Sequence, residues 1–268
     1  MSLLRVLLRS VLILGLIFSG LGLITVLIPL SGFRKGQGSH RVRNFCTRVW
    51  SRGVCLTLGV RIRCHGEPMT EAGLTVANHI SWLDIMILAS LGDYVFVAKQ
   101  EVADWPLLGR LFQGVGTLFI RRGHREDSTR LAKIMTQYLQ RGLPLLLFPE
   151  ATTTTGETVR RFGGKLFQPA HLSQSLIQPV AIGYAAAVRD RVPFVGDMDF
   201  LGHLMRLMTL KFIDVDLHFL APISAERPAD ELAISARQAI RSALNLSPRF
   251  EPRESQPEPE SGTLPNTG

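Results

Sequence analysis

Cysteine is scarce in this chain. Cys46, Cys55 and Cys64 are the only three in 268 residues, and no C-x-x-C pair or Cys/His cluster accompanies them. That excludes a disulfide scaffold, leaves no candidate metal site, and fits a reducing compartment. Tyrosine and tryptophan are equally thin, three of each and scattered singly, so a stacking surface for nucleic acid is excluded as well. Charged residues make up 19%, below the usual share of about a quarter, which rules out a disordered polyelectrolyte. Acidic residues are the rarer sign, 22 against 30 Lys and Arg. The shortfall is uneven: from Pro248 onward two arginines face four glutamates, a net −2, so the rest of the chain carries +10. A basic body of that kind suits anionic lipid or an anionic substrate.

What the sequence does have is apolar length. Residues 11–30 form a charge-free run of twenty, and a helix of that length is about 30 Å long, the thickness of a bilayer's hydrocarbon core. Arg5 and Arg9 resemble the n-region of a signal peptide, but the run is long for an h-region and no A-x-A cleavage site follows. Residues 1–31 therefore read as a retained membrane anchor, with Gly15, Gly20, Gly22 and Pro29 leaving open a bent, half-inserted helix. Arg34, Lys35, Arg41, Arg43, Arg48 and Arg52 follow it and outnumber the two arginines before it. This asymmetry puts the main domain on the cytoplasmic face of the inner membrane. Val42, Phe45, Cys46, Val49, Trp50 and Val54 recur at helical spacing among those arginines, so residues 32–60 read as a basic amphipathic helix for a headgroup layer. A core-facing helix with a solvated basic face is the competing reading.

Residues 61–247 alternate strand-like and helix-like stretches. Runs at 74–77, 94–98, 117–120, 144–148, 178–183 and 212–220 read as strands, and 81–91, 127–141 and 226–244 as helices. The alternation predicts an α/β domain, a largely parallel sheet flanked by helices. The Pro/Glu/Ser-rich residues 248–268 read as a disordered tail.

Three polar clusters sit at the carboxyl ends of predicted strands, where open α/β sheets hold ligands. In Asn78-His79-Ile80-Ser81-Trp82-Leu83-Asp84, a strand-to-helix turn lets Asp84 meet the His79 imidazole, fix its tautomer and leave a base. Ser81-x-x-Asp84 is also a capping box, so Asp84 has a purely structural reading too. In the second cluster, Gly116 opens a strand that ends at Arg121 and Arg122, which suit an anion or a solvated strand end. In the third, Glu150 and four threonines follow a fully apolar strand, Leu145-Leu146-Leu147. The hydroxyls suit a cap, whereas the carboxylate needs partners.

In this order the clusters resemble the glycerolipid acyltransferase family, typified by 1-acyl-sn-glycerol-3-phosphate acyltransferases. Asn78, His79, Ser81 and Asp84 match N-H-x-S-x-x-D. Gly116, Phe119, Ile120 and Arg122 match G-x-x-F-I-x-R. Phe148, Pro149, Glu150 and Thr152 match F-P-E-G-T-R-S, and Pro179 lies in a short strand like the family's fourth motif. The pattern departs where Gly-Thr-Arg is usual: here it is Ala151-Thr152-Thr153, so the arginine is missing. A branch acylating lyso-ornithine lipid, a phosphate-free amino-acid lipid, resembles this variant. The resemblance implies transfer of an acyl group from acyl-CoA or acyl-carrier protein to a lysolipid hydroxyl at a membrane, without cofactor or metal. Lysophosphatidate, giving phosphatidate, is the first acceptor expected and lyso-ornithine lipid the alternative. A non-catalytic lipid-binding protein is the further alternative. His79 is the expected general base, Asp84 its orienting partner, and Gly116, Arg122, Glu150 and Thr152 the expected acceptor contacts. Backbone amides at the start of the Ser81 helix are the expected oxyanion donors.

Overall fold

The computed structural model describes residues 2–27, 37–104, 108–120 and 125–245. Arg34, Lys35, Arg121, Arg122, the last residues of the charge-free run and the tail lie outside them.

Helix α1 (Ser2–Gly22) runs on into a π turn (Leu23–Leu27), and α2 spans Gln37–Leu58. Then follow β1 (Val60–His65), β2 (Leu74–Ala77), α3 (Leu83–Leu91), β3 (Val95–Lys99), α4 (Gln100–Ala103) and α5 (Leu108–Gly114). The chain continues through β4 (Leu118–Ile120), α6 (Arg125–Gln140), β5 (Leu145–Leu147), α7 (Gln168–Ser173), β6 (Ile177–Tyr184), α8 (Phe200–Thr209), β7 (Ile213–Phe219) and α9 (Ala229–Ala243). The sheet order is β1-β7-β6-β2-β5-β3-β4, parallel at every pairing except β6–β7. The fold is therefore the expected α/β arrangement with a mostly parallel sheet.

Strand composition follows position in the sheet. The central strands β2 and β5 are buried at every residue, as a sheet covered on both faces requires. Pro179 is tolerated in β6 because it stands one residue beyond the β7 ladder, where only its carbonyl is used, accepting from Leu220 N. Toward the edge, β7 alternates buried and half-buried residues, and β1 beyond it is mostly exposed. The predicted strands omit β1. Its Arg61 and Arg63 lie opposite Asp214 and Asp216 and pair with them through two bonds each, at 2.6–2.8 Å.

Helices cover both faces. One apolar cluster gathers α1, α2, α3 and α8, and the other α6, α7 and α9. In α6, Leu131, Met135 and Leu139 recur at helical spacing and are buried. The helix ends at Gly142 (φ +71°), where Leu143 N donates to Tyr138 O and Gly142 N to Leu139 O, a Schellman closure.

Leu3–Thr25 is, among the described residues, the one helical stretch long and apolar enough to cross a membrane. It also lies against the domain along its length. Arg5 donates to Thr209 O, and the buried Arg9 donates to the carbonyls of Met208, Leu210 and Lys211, all at the carboxyl end of α8. Farther along, Leu16 O accepts from Trp50 Nε1 at 2.7 Å, and a Cβ on Gly20 would come within 2.9 Å of Trp50 and Leu111. Its outer face stays open, with Leu3, Leu4, Val11 and Phe18 at least two-thirds exposed. The stripe read in α2 divides in the same manner. Val54 packs into the core and Trp50 against it, while Val42, Phe45 and Val49 remain exposed.

Candidate active site

Residues 78–84 turn from β2 into α3. Asn78 prolongs the β2–β6 pairing with its side chain, donating from Nδ2 to Ile182 O and accepting Ile182 N at Oδ1. That fixes the strand end, and the chain then leaves the sheet at His79. The helix begins at Leu83, later than predicted, because Ile80 and Ser81 give their amides to a side chain instead.

That side chain is Asp84, which is fully buried. Its Oδ2 accepts from Ile80 N (2.7 Å), Ser81 N (2.8 Å) and His79 Nδ1 (2.9 Å), and its Oδ1 accepts from the Tyr184 hydroxyl (2.6 Å). Four donors converge on two oxygens, a set that only a carboxylate can accept. Nδ1 of His79 therefore carries the proton, and Nε2, which has no partner among the described residues, presents a lone pair. The ring is stacked on Phe148 at 4.0 Å, and the His79 side chain keeps 15% of its surface exposed. The capping and dyad readings of Asp84 are one arrangement: the atom that terminates the turn also orients the imidazole.

The third cluster folds over this turn. Both oxygens of the buried Glu150 are occupied, Oε1 by His79 N and Oε2 by Arg160 N, each at 2.8 Å. Burial pushes its carboxyl up to about 7 against the pull of those two amides. Glu150 thus grips the backbone behind His79 rather than reaching outward. Thr154 N donates to His79 O at 2.8 Å, and Phe194 N to Ile80 O at 2.9 Å. The Thr153 hydroxyl donates to Phe194 O, so the side chain standing where the family pattern has arginine is tied to a neighbouring loop. Ala151 takes φ +64°, the left-handed conformation natural to the glycine usual there.

The structure brings His79, Asp84 and Glu150 together, with the half-buried Thr152 on the same loop. Gly116 lies at the turn into β4 instead, with φ +79°, where a Cβ would come within 2.7 Å of the Arg43 guanidinium. Arg122 lies outside the described residues. Of the amides expected to form an oxyanion hole, those of Ile80 and Ser81 donate to Asp84 and that of Leu83 to the Ser81 hydroxyl. Tyr184 escaped the sequence reading because nothing local marks it, although it ends the strand that carries Pro179.

Next to Asp84 along α3, Ile85 and Met86 line a narrow apolar cavity of about 40 Å³ between α1, α2, α3 and α5, with Leu23, Trp50, Phe96 and Leu111. Its lining is almost wholly apolar, the surface a hydrocarbon chain requires. Among the described residues no cluster of His, Cys, Asp and Glu suits a metal ion.

Comparison with known proteins identifies the family. Residues 61–183 match the acyltransferase family model. The chain is 42% identical over 247 residues to the lyso-ornithine lipid O-acyltransferase of Pseudomonas aeruginosa, covering 91% of this chain and 95% of that protein. It is 31% identical over 214 residues to the 1-acyl-sn-glycerol-3-phosphate acyltransferase of Neisseria meningitidis, covering 77% and 84%. The solved 1-acyl-sn-glycerophosphate acyltransferase of Thermotoga maritima shares the fold, with a TM-score of 0.67 at 18% identity over 94% of this chain and all of that one. An imidazole held by a buried carboxylate at the sheet rim, in a chain so related over most of its length, places this protein in the acyltransferase family as an O-acyltransferase.

Proposed function

We propose that the chain moves an acyl group from a thioester, acyl-CoA or acyl-carrier protein, to the hydroxyl of a lyso-ornithine lipid, with His79 as general base. One relationship carries the chemistry: Asp84 Oδ2 holds His79 Nδ1 at 2.9 Å and leaves Nε2 open. An alcohol is a poor nucleophile at neutral pH and needs its proton removed as it attacks. Nε2 takes that proton, the oxygen attacks the thioester carbonyl, and the collapsing intermediate expels the thiolate, which regains a proton from the imidazolium. Asp84 stabilises the imidazolium meanwhile. The cavity beside α3 receives the acyl chain, whose methylenes leave water there at about 0.8 kcal/mol each.

Two observations favour lyso-ornithine lipid over lysophosphatidate. Identity is higher to the Pseudomonas enzyme, 42% against 31%, and the cation usual after Thr152 is replaced by a threonine tied to Phe194. The exposed apolar faces of α1 and α2 bind the cytoplasmic leaflet of the inner membrane. Because both ends of α1 are docked on the domain, it lies half-submerged along the surface.

The test offers purified protein labelled acyl-CoA and acyl-carrier protein, each with lyso-ornithine lipid and with lysophosphatidate. Acylated ornithine lipid is the expected product, and His79→Ala lowers turnover at least about 10²-fold. Near-normal turnover in folded His79→Ala overturns the mechanism. Product from lysophosphatidate alone overturns the acceptor, and no product in any combination leaves a lipid-binding protein.

A further inference from the structure

A second cavity, of about 100 Å³, opens at the same rim of the sheet, walled by Ile80, Glu157, Tyr184, Arg189, Pro193 and Leu244 among others. It is built from the segments that hold the dyad. Ile80 follows His79, and Tyr184 bonds Asp84. Glu157 belongs to a turn hung on His79 O through Thr154 N, and Arg189 follows the short helical turn just beyond β6.

The two charges in its wall are unspent. Neither the Glu157 carboxylate nor the Arg189 guanidinium makes a hydrogen bond or ion pair with any described residue, including each other. The contrast with the Arg61–Asp214 and Arg63–Asp216 pairs is direct. One cavity therefore presents an unpaired anion and an unpaired cation, both solvent-exposed, in a wall of mixed polar and apolar surface.

We propose that this cavity seats a zwitterionic amino-acid headgroup, with Arg189 on its carboxylate and Glu157 on its ammonium. The proposal rests on the lyso-ornithine reading above and names the residues that enforce it. An ornithine acylated at one amine keeps a carboxylate and an ammonium, one partner for each wall charge. A guanidinium takes a carboxylate through two parallel bonds. A lysophosphatidate headgroup carries only negative charge, so it gains Arg189 but meets Glu157 as a like charge. The pair thus selects by repulsion as well as by attraction.

The experiment uses the full chain in detergent with two acceptors, lyso-ornithine lipid and its carboxyl methyl ester, and compares kcat/KM between them. The ratio is independent of the fraction of folded enzyme, so a poorly folding variant still reports. The wild-type protein prefers the free acid about tenfold, and Arg189→Met loses that preference. Glu157→Gln raises KM for lyso-ornithine lipid about tenfold and shifts selectivity toward lysophosphatidate. An active wild type whose preference survives in Arg189→Met, or whose KM is unmoved in Glu157→Gln, overturns this assignment alone. A wild type that acylates lysophosphatidate and not lyso-ornithine lipid overturns the acceptor reading, and this assignment with it.

Discussion

The Tyr184 hydroxyl donates to Oδ1 of Asp84 at 2.6 Å, across 100 residues of sequence. Burial first, and then the neighbouring Asp84 carboxylate, hold the phenol well above its ordinary range, so it stays a donor at every working pH. Oδ2 already serves His79 and two amides. Tyr184 therefore fixes the rotation of the carboxylate that orients the imidazole, as the outer partner of a catalytic ligand does.

Tyr184→Phe keeps the ring and removes that donor. A bond to a charged group is worth about 1.5–3 kcal/mol, so kcat falls about 10- to 100-fold while KM for both substrates stays within about twofold. Steady-state kinetics with each substrate varied in turn checks this. An unchanged kcat, or a change confined to KM, shows that Asp84 is held without the phenol.

Glu150 makes stability depend on pH. Its carboxyl sits at about 7 in the fold against an ordinary 4.5. Between those values the native chain keeps a proton that the unfolded chain releases, so stability falls as pH rises through that window. The contribution is fully present below 4.5 and amounts to about 3 kcal/mol. Glu150→Gln cannot titrate. Thermal unfolding at pH 5 and pH 8 should show a steeper loss in the wild type than in the variant, and equal losses would refute the linkage.

Ala151 holds φ +64° at the head of the loop that covers His79. A left-handed alanine costs about 1–2 kcal/mol, partly offset by the extra freedom a glycine has when unfolded. Ala151→Gly should therefore stabilise the protein by about 1 kcal/mol, read as a raised Tm. A lowered Tm would mean that the Ala151 methyl contributes more than its backbone costs.

Arg9 ties α1 to the last carbonyls of α8 through three bonds, and Arg5 adds one more openly placed bond. Arg9→Met leaves those carbonyls without their donor and should destabilise by about 2–3 kcal/mol, whereas Arg5→Met costs under about 1 kcal/mol. Unfolding in detergent separates the two, and equal effects would show that burial at Arg9 adds nothing.

Where local pattern and tertiary role coincide, the sequence is readable. Leu145–Leu147, apolar throughout, is a central strand, and the His79–Asp84 spacing closes because a turn intervenes between strand and helix. β1 escapes because an edge strand need bury only one end: Val60-Arg61-Ile62-Arg63 reads as more of the basic helix before it. The direction of Glu150 is illegible for another reason. A carboxylate after an apolar strand needs partners, but those partners are backbone amides, which no side-chain pattern announces. Tyr184 meets Asp84 only once β6 lies beside β2.

The clasp between Arg5 and Thr209 joins residues 204 positions apart. At about 5–20 residues per second of synthesis, the first apolar helix waits on the order of 10–40 seconds before its α8 partner exists. Until then α2 alone, with lipid or a chaperone, can cover it, so nascent chains stripped of lipid and chaperone should aggregate through this helix before the domain is complete.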